Sequence, residues 1–434
     1  MSGVRGLKIS EDWWAVILGA TILAAASTRL AAWLPRIGGW SASIGEALSV
    51  PEAPYFALLA ALLLALTNAA VAGMGGNARE YWAGFLFVFL LSFLGRLLSR
   101  QELIHGWGIE YVIWALILGL LINNAVGTPR WLKPAVRTEL FIKIGLVLLG
   151  AEILFQTILA AGTRGMVQAI AVVLVVWYFC YFIASRMGLK KSLSAIMATG
   201  VSICGVSAAI AAGGAIKGDK KEVSYVISLV LLVAVPMVVV MPFIARAVGL
   251  PDAVAGAWIG GTIDTTPAVV AAGALYSDEA MAIASIVKMS QNILIGIAAF
   301  ILALYWTLRV EGNPGEKPSV AEIWYRFPKF ILGFIAASIV FSLVLTPTIG
   351  GEAVASIIKV TKDLRAWFFA MAFACIGLET KFMDLVKIGK GKPLLAFLIA
   401  QAFNIVLTFA LASILFGGPL PLQAINFSWW LADG

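Results

Sequence analysis

Charge is scarce in this chain: Asp, Glu, Lys and Arg make up 12% of its 434 residues, against 61% that are hydrophobic. Soluble domains carry about 25% charged residues, so an ordinary water-soluble fold is excluded. Histidine occurs once, at His105, and cysteine only at Cys180, Cys204 and Cys375. The cysteines fall in apolar runs without a zinc-ligand spacing, so neither a metal centre nor a disulfide framework is expected. A Walker loop, a GxSxG elbow and an HExxH helix are all missing. ATP-driven pumping and the common hydrolytic chemistries therefore have no residues to run on, and no enzyme activity or cofactor is expected. Short alternating strands are missing too, which excludes a barrel.

What the chain has in abundance is apolar length, with a mean hydropathy of +0.97. Candidate spans lie at 13–33, 55–73, 81–98, 110–123, 140–161, 166–187, 225–248, 280–308, 327–345, 366–380 and 393–416. The fold class expected is an all-α polytopic membrane protein with about eleven transmembrane helices in the cell inner (cytoplasmic) membrane. The first run follows Arg5 and Lys8 and carries Trp13, Trp14 and Trp33 near its ends, as a retained, interface-anchored span does. A net charge of +8 is what basic loops produce, so the lipid bilayer, not nucleic acid, is the expected partner. The longest polar connection, 309–326, is only a linker, so one membrane domain is expected over 1–434. Exposed small-residue faces leave homodimer contact and internal packing both open.

Two phrases interrupt the apolar runs: GVSICGVSAAIAAG from Gly200 and GGTIDTTPAVVAAG from Gly260. They share Gly200/Gly260, Ser202/Thr262, Ile203/Ile263, Ala208/Ala268 and an Ala-Ala-Gly ending at Gly213/Gly273. A weaker echo pairs Gly150, Glu152 and Gly162 with Gly377, Glu379 and Gly389. Repeated halves of this kind are a habit of secondary transporters. Cationic loops then set direction. Arg130, Lys133 and Arg137 start span 140–161 inside, a turn at 162–165 lies outside, and Arg186, Lys190 and Lys191 return inside. Lys217, Lys220 and Lys221 stay inside if 195–216 is re-entrant, and fall outside if it crosses. The segment 253–275 then suits a re-entrant loop from the outer face, giving inverted repeats, whereas Lys359, Lys362 and Arg365 stand on the wrong side. Two ordinary spans broken by Gly and Pro are the alternative.

Irregular backbone at membrane depth is tolerated only inside protein or along a wet cavity. A restarting helix offers amides and a positive dipole end to an anion, and the interrupted carbonyls suit a cation. Ser202, Cys204, Gly205 and Ser207 surround the first break, and Thr262, Thr265 and Thr266 the second; these are candidate binding residues for a small anionic solute. Asp264 is the candidate coupling residue for Na+ or H+, with capping of the helix after Pro267 as its structural alternative. Lys288 and Asn292 share a helix face and complete the candidate binding set, with Gln291 adjacent; snorkelling is the plainer reading of the lysine. Glu152 and Glu379 are further coupling candidates. His105 reads as a solvated loop residue.

The SxCGxSA element at Ser202–Ala208, Lys217 with Lys220-Lys221-Glu222-Val223, the Val269–Gly273 run and Ile286-Val287-Lys288 together resemble the YeiH-like sulfate exporter family. The resemblance covers about residues 110–416, a transport core to which residues 1–100 would add peripheral or scaffold helices. It implies membership of the clan of cation/proton antiporters and anion transporters, with discontinuous helices meeting near mid-membrane and sulfate or a related sulfur oxyanion as substrate. The family pattern carries a His-Glu pair where this chain reads Asp264-Thr265. The function expected is secondary active transport of a small anion coupled to protons or sodium; cation/proton antiport and a passive anion channel are the alternatives.

Overall fold

The computed structural model describes residues 9–28, 34–48, 52–103, 111–310, 321–381 and 391–418. Arg5, Lys8, Trp33, His105 and Gly389 lie outside the described residues. In chain order the helices begin with α1 (Glu11–Ser27), α2 (Ile44–Ala47), α3 (Ala53–Gly73), α4 (Ala78–Ser99), α5 (Tyr111–Ala125) and α6 (Thr138–Gly150). They continue with α7 (Phe155–Arg186), α8 (Lys191–Ser202), α9 (Gly205–Ala215), α10 (Lys220–Val248), α11 (Asp252–Thr262) and α12 (Thr266–Tyr276). Last come α13 (Asp278–Tyr305), α14 (Ala321–Arg326), α15 (Phe330–Ile339), α16 (Thr346–Ile349), α17 (Gly351–Glu379) and α18 (Lys392–Phe416). The protein is an all-α polytopic membrane protein; among the described residues, 7 helices are long and apolar enough to cross a bilayer.

One expected boundary moves. Residues 162–165 are not a turn: α7 is a single helix of 32 residues that runs through them. The chain breaks earlier, at 151–154, where α6 stops. Gly165 is a packing position instead, because a Cβ there would stand 3.3 Å from Val287 Cα and from Ser290 Oγ.

Contacts divide the chain into one unit of Met1–Phe155 with Lys329–Lys381, and another of Gln156–Pro328 with Phe382–Gly434. In the first unit α6 and α17 lie antiparallel. Thr138, at the start of α6, donates to Glu379 Oε2 at 2.9 Å, and Arg365 reaches Glu152 just past the end of α6 at 2.7 Å. Arg365 is thus paired inside protein, which accounts for a cation that loop rules place on the wrong side. Lys143 ties α6 to α1 through Glu11 at 2.8 Å and Asp12 at 3.0 Å. Trp367 of α17 stacks on Phe89 of α4 at 4.9 Å, and α5 crosses α17 glycine to glycine at Gly119 and Gly377.

The second unit is built on two interrupted hairpins. A Cβ on Gly213, near the end of α9, would stand 3.9 Å from Ile196 Cδ1 in the first half of α8. Lys190, just before α8, pairs with Glu222 in the first turn of α10 at 3.7 Å. The chain therefore enters along α8 and leaves along α9 at the same end. The other hairpin closes in the same way: Tyr276 Oη donates to the Leu250 carbonyl and Ser277 Oγ to Asp252, so the end of α12 returns to the start of α11. Both segments are re-entrant. The 29 residues of α10 join the two mouths, about 43 Å apart at 1.5 Å per residue, so the hairpins enter from opposite ends. Gly256 and Gly260 let α11 lie directly on the α13 backbone at Ala280 and Ala284, where a side chain would collide.

Candidate functional site

The two hairpin tips meet. Helix α8 ends at Ser202, Ile203 and Cys204 leave helical geometry, and α9 begins at Gly205. Helix α11 ends at Thr262, Ile263 and Thr265 are extended, and α12 begins at Thr266 with Pro267 in its first turn. The repeated phrase thus breaks at corresponding positions in both copies. At the crossing, a Cβ on Gly205 would stand 3.0 Å from the Asp264 carbonyl oxygen and would collide with Val230. Only glycine allows this approach. Thr265 caps α12, its Oγ1 accepting from Ala268 N at 3.4 Å, so Asp264 is not the cap and its carboxylate is left for another role.

Interrupting two helices frees carbonyls, and polar side chains from three other helices meet them. Lys288 of α13 is 1% exposed, so it does not snorkel. Its Nζ donates to the Ile203 carbonyl at 2.6 Å and to Gln291 Oε1 at 2.9 Å. Gln291 in turn donates to the Gly261 carbonyl at 3.0 Å. One turn of α13 thereby holds the first arm of each hairpin. Asn292 donates to Thr266 Oγ1 at 3.1 Å, and Cys204 Sγ lies 3.7 Å from that hydroxyl. From α18, Gln401 donates to the Thr262 carbonyl at 2.9 Å, and Asn404 to the carbonyls of Thr262 at 3.3 Å and Val201 at 3.4 Å. Gln168 of α7 donates to the Ala257 carbonyl at 2.8 Å.

Oxygens are left over. Ser202 Oγ, Thr262 Oγ1, Asp264 Oδ2, Asn292 Oδ1 and Gln401 Oε1 are buried with no hydrogen-bonding partner in the protein. Asp264 is 1% exposed, and among the described residues neither it nor Lys288 joins an ion pair. A surplus of buried acceptors around one carboxylate is chemically suited to a proton or a small cation. The first turns of α9 and α12 and the Lys288 ammonium supply the opposite sign. Ser207 stands apart from the buried set: it is exposed, on the face of α9 that also carries Ile210 and Gly214.

Nine of the sequence candidates therefore cluster where the tips cross or just beside it: Ser202, Cys204, Gly205, Thr262, Asp264, Thr265, Thr266, Lys288 and Asn292. Glu152 and Glu379 belong to the other unit, where each carboxylate has a partner, Arg365 and Thr138 respectively. The sequence reading missed Gln168, Gln401, Asn404 and Thr408. For the last three the signal was readable: polar side chains at i, i+3 and i+7 share one face of the otherwise apolar α18, where Thr408 donates to Asn404 Oδ1 at 2.8 Å. Among the described residues, no group of three or more His, Cys, Asp or Glu could hold a metal ion.

The family model described as "Conserved hypothetical protein 698" matches residues 83–397. A UPF0324 membrane protein of Rhodopirellula baltica is 43% identical over 90% of this chain and 73% of its own length. One from Nitratidesulfovibrio vulgaris is 42% identical over 79% of this chain, which spans 61% of that relative. One from Nitrosomonas europaea is 30% identical over 96% of this chain and 97% of its own length. No solved structure matches. With a family model over most of its length and one 30% identical relative aligned nearly end to end, the chain belongs to the UPF0324 membrane proteins, the family described as Conserved hypothetical protein 698.

Proposed function

We propose that the protein is a secondary active transporter of a small anion, with the solute held where the hairpin tips meet. The single observation that carries this reading is the buried Lys288 ammonium on the freed Ile203 carbonyl, beside two helices that restart at the same crossing. The Lys288 amine, the first-turn amides of α9 and the Thr266 amide at the start of α12 together make a polar seat for an oxyanion. The hydroxyls of Ser202, Thr262, Thr265 and Thr266, the Cys204 thiol and the Asn292 amide supply hydrogen bonds around it. Ser207, exposed on α9 and apart from the buried set, is kept as a further binding residue for the solute. Sulfate or a related sulfur oxyanion is the substrate class implied by the YeiH-like resemblance.

Asp264 couples transport to protons or sodium. Its unpartnered Oδ2, in a setting that costs an isolated charge several kcal/mol, takes up the ion and makes solute movement depend on that ion's gradient. The same oxygen favours one rival, cation/proton antiport, in which Lys288 serves only as countercharge. Glu152 and Glu379 are retained as secondary relay positions in their own unit. Titration calorimetry of the purified protein against sulfate, sulfite, thiosulfate, an organosulfonate and a carboxylate tests the reading. Saturable binding of at least one divalent oxyanion supports it, whereas binding of sodium with no anion in the panel assigns the site to the rival.

A further inference from the structure

Helix α10 carries two recesses along one face. The first, about 390 Å³, is lined by Lys220, Lys221, Ser224, Tyr225 and Ser228. The second, about 350 Å³, is lined by Leu232, Val233, Pro236, Met237 and Val240, with Leu394 and Leu398 of α18 forming its other wall. Tyr225, Ser228, Leu232 and Pro236 repeat at three- and four-residue steps, so the two recesses follow each other along one stripe of the helix. The upper recess is cationic and hydroxyl-bearing, and the lower one is wholly apolar.

Depth fits the same division. Met237 Sδ accepts from Gln401 Nε2 at 3.5 Å, and Gln401 also bonds the hairpin-tip carbonyl of Thr262, so Met237 lies at the level of the crossing. From there, at 1.5 Å per residue, Ser228 lies about 14 Å and Lys221 about 24 Å toward the α10 N-terminus. Half of a hydrocarbon core is about 15 Å. The apolar recess, about 12 Å long from Leu232 to Val240, therefore lies around the crossing, at the depth of an acyl chain's end, and the lysines stand in the headgroup layer. Their acidic neighbours are engaged elsewhere: Asp219 accepts from Lys221 N at 2.9 Å as the helix cap, and Glu222 pairs with Lys190. Neither Lys220 nor Lys221 joins an ion pair among the described residues.

We infer that this groove binds an anionic phospholipid, its phosphate on Lys220 and Lys221 and one acyl chain along Leu232–Val240 against Leu394 and Leu398. The occupant is fixed by complementarity, because a cationic head end above an open apolar recess on the same helix face matches a negatively charged lipid and neither a soluble anion nor a neutral one. A bound lipid also has a route to the crossing. It lies on Met237, which shares the Gln401 amide with the Thr262 carbonyl. The inference does not rest on the transport reading.

Native mass spectrometry of the full chain in detergent tests it, with phosphatidylglycerol and phosphatidylcholine of identical acyl chains as probes. Phosphatidylglycerol is expected to be retained preferentially. At roughly fivefold per lysine beside an anionic headgroup, Lys220→Gln with Lys221→Gln should weaken its binding on the order of 25-fold while leaving phosphatidylcholine unchanged. Both side chains are exposed, so the double variant keeps its fold, which thermal unfolding verifies. Leu398→Trp, which fills the apolar recess, should also displace the lipid. Equal retention of the two lipids, unchanged binding by the double variant, or displacement of phosphatidylglycerol by inorganic phosphate would each overturn the assignment.

Discussion

Replacing Lys288 by methionine removes the ammonium while keeping most of the side-chain volume. Two consequences follow from the geometry. The Ile203 carbonyl loses its 2.6 Å donor and stays buried, which costs about 1–3 kcal/mol of stability. An oxyanion seated about 5 Å from the lost charge, at an effective dielectric near 20, loses about 3 kcal/mol of attraction for each of its negative charges, so at least roughly 150-fold in Kd. Lys288→Arg keeps the charge but not the compact fit and should retain much of that affinity. Calorimetric titration with sulfate, run beside thermal unfolding in detergent, separates the two effects. If Lys288→Met unfolds as a single transition and binds sulfate as tightly as the parent protein, the reasoning that places the anion beside this ammonium is wrong.

Three further outcomes are expected. Asp264→Asn should fold normally and abolish uptake driven by an imposed proton or sodium gradient; unchanged gradient dependence in liposomes removes Asp264 from the coupling step. Gly205→Ala should lower stability by about 1–3 kcal/mol, because the added methyl meets Val230 and the Asp264 backbone; a shift of the thermal midpoint in detergent checks this. In the other unit, Arg365→Met leaves Glu152 buried without its partner at a cost of about 3–5 kcal/mol, and adding Glu152→Gln should restore most of it.

Much of the crossing was legible before any coordinates. The doubled phrase located both breaks, because glycine beside hydroxyl residues inside an apolar run contradicts helix and lipid alike. Asp264 and Lys288 stood out for the same reason: charge at that depth must be answered by something. What answered it was not legible. Lys288 turns to a carbonyl and a glutamine instead of Asp264, a choice set by where Ile203 comes to rest beside α13. Loop charges could not decide between crossing and re-entry, whereas the contacts of Gly213 with Ile196 and of Tyr276 with Leu250 settle it. Gly162 and Gly165 read as a turn because glycine punctuates loops, yet at Gly165 packing against Val287 explains the residue. The partners of Glu152 and Glu379 were not legible either, because Arg365 and Thr138 are distant from them in sequence.

Counterflow in liposomes addresses the central claim most directly. Vesicles loaded with unlabelled sulfate, or with whichever oxyanion calorimetry selects, should take up labelled solute transiently against its own gradient, and Lys288→Met should abolish that overshoot. Simple equilibration without overshoot, or uptake indifferent to Lys288, would contradict a carrier built on the meeting of these two hairpins.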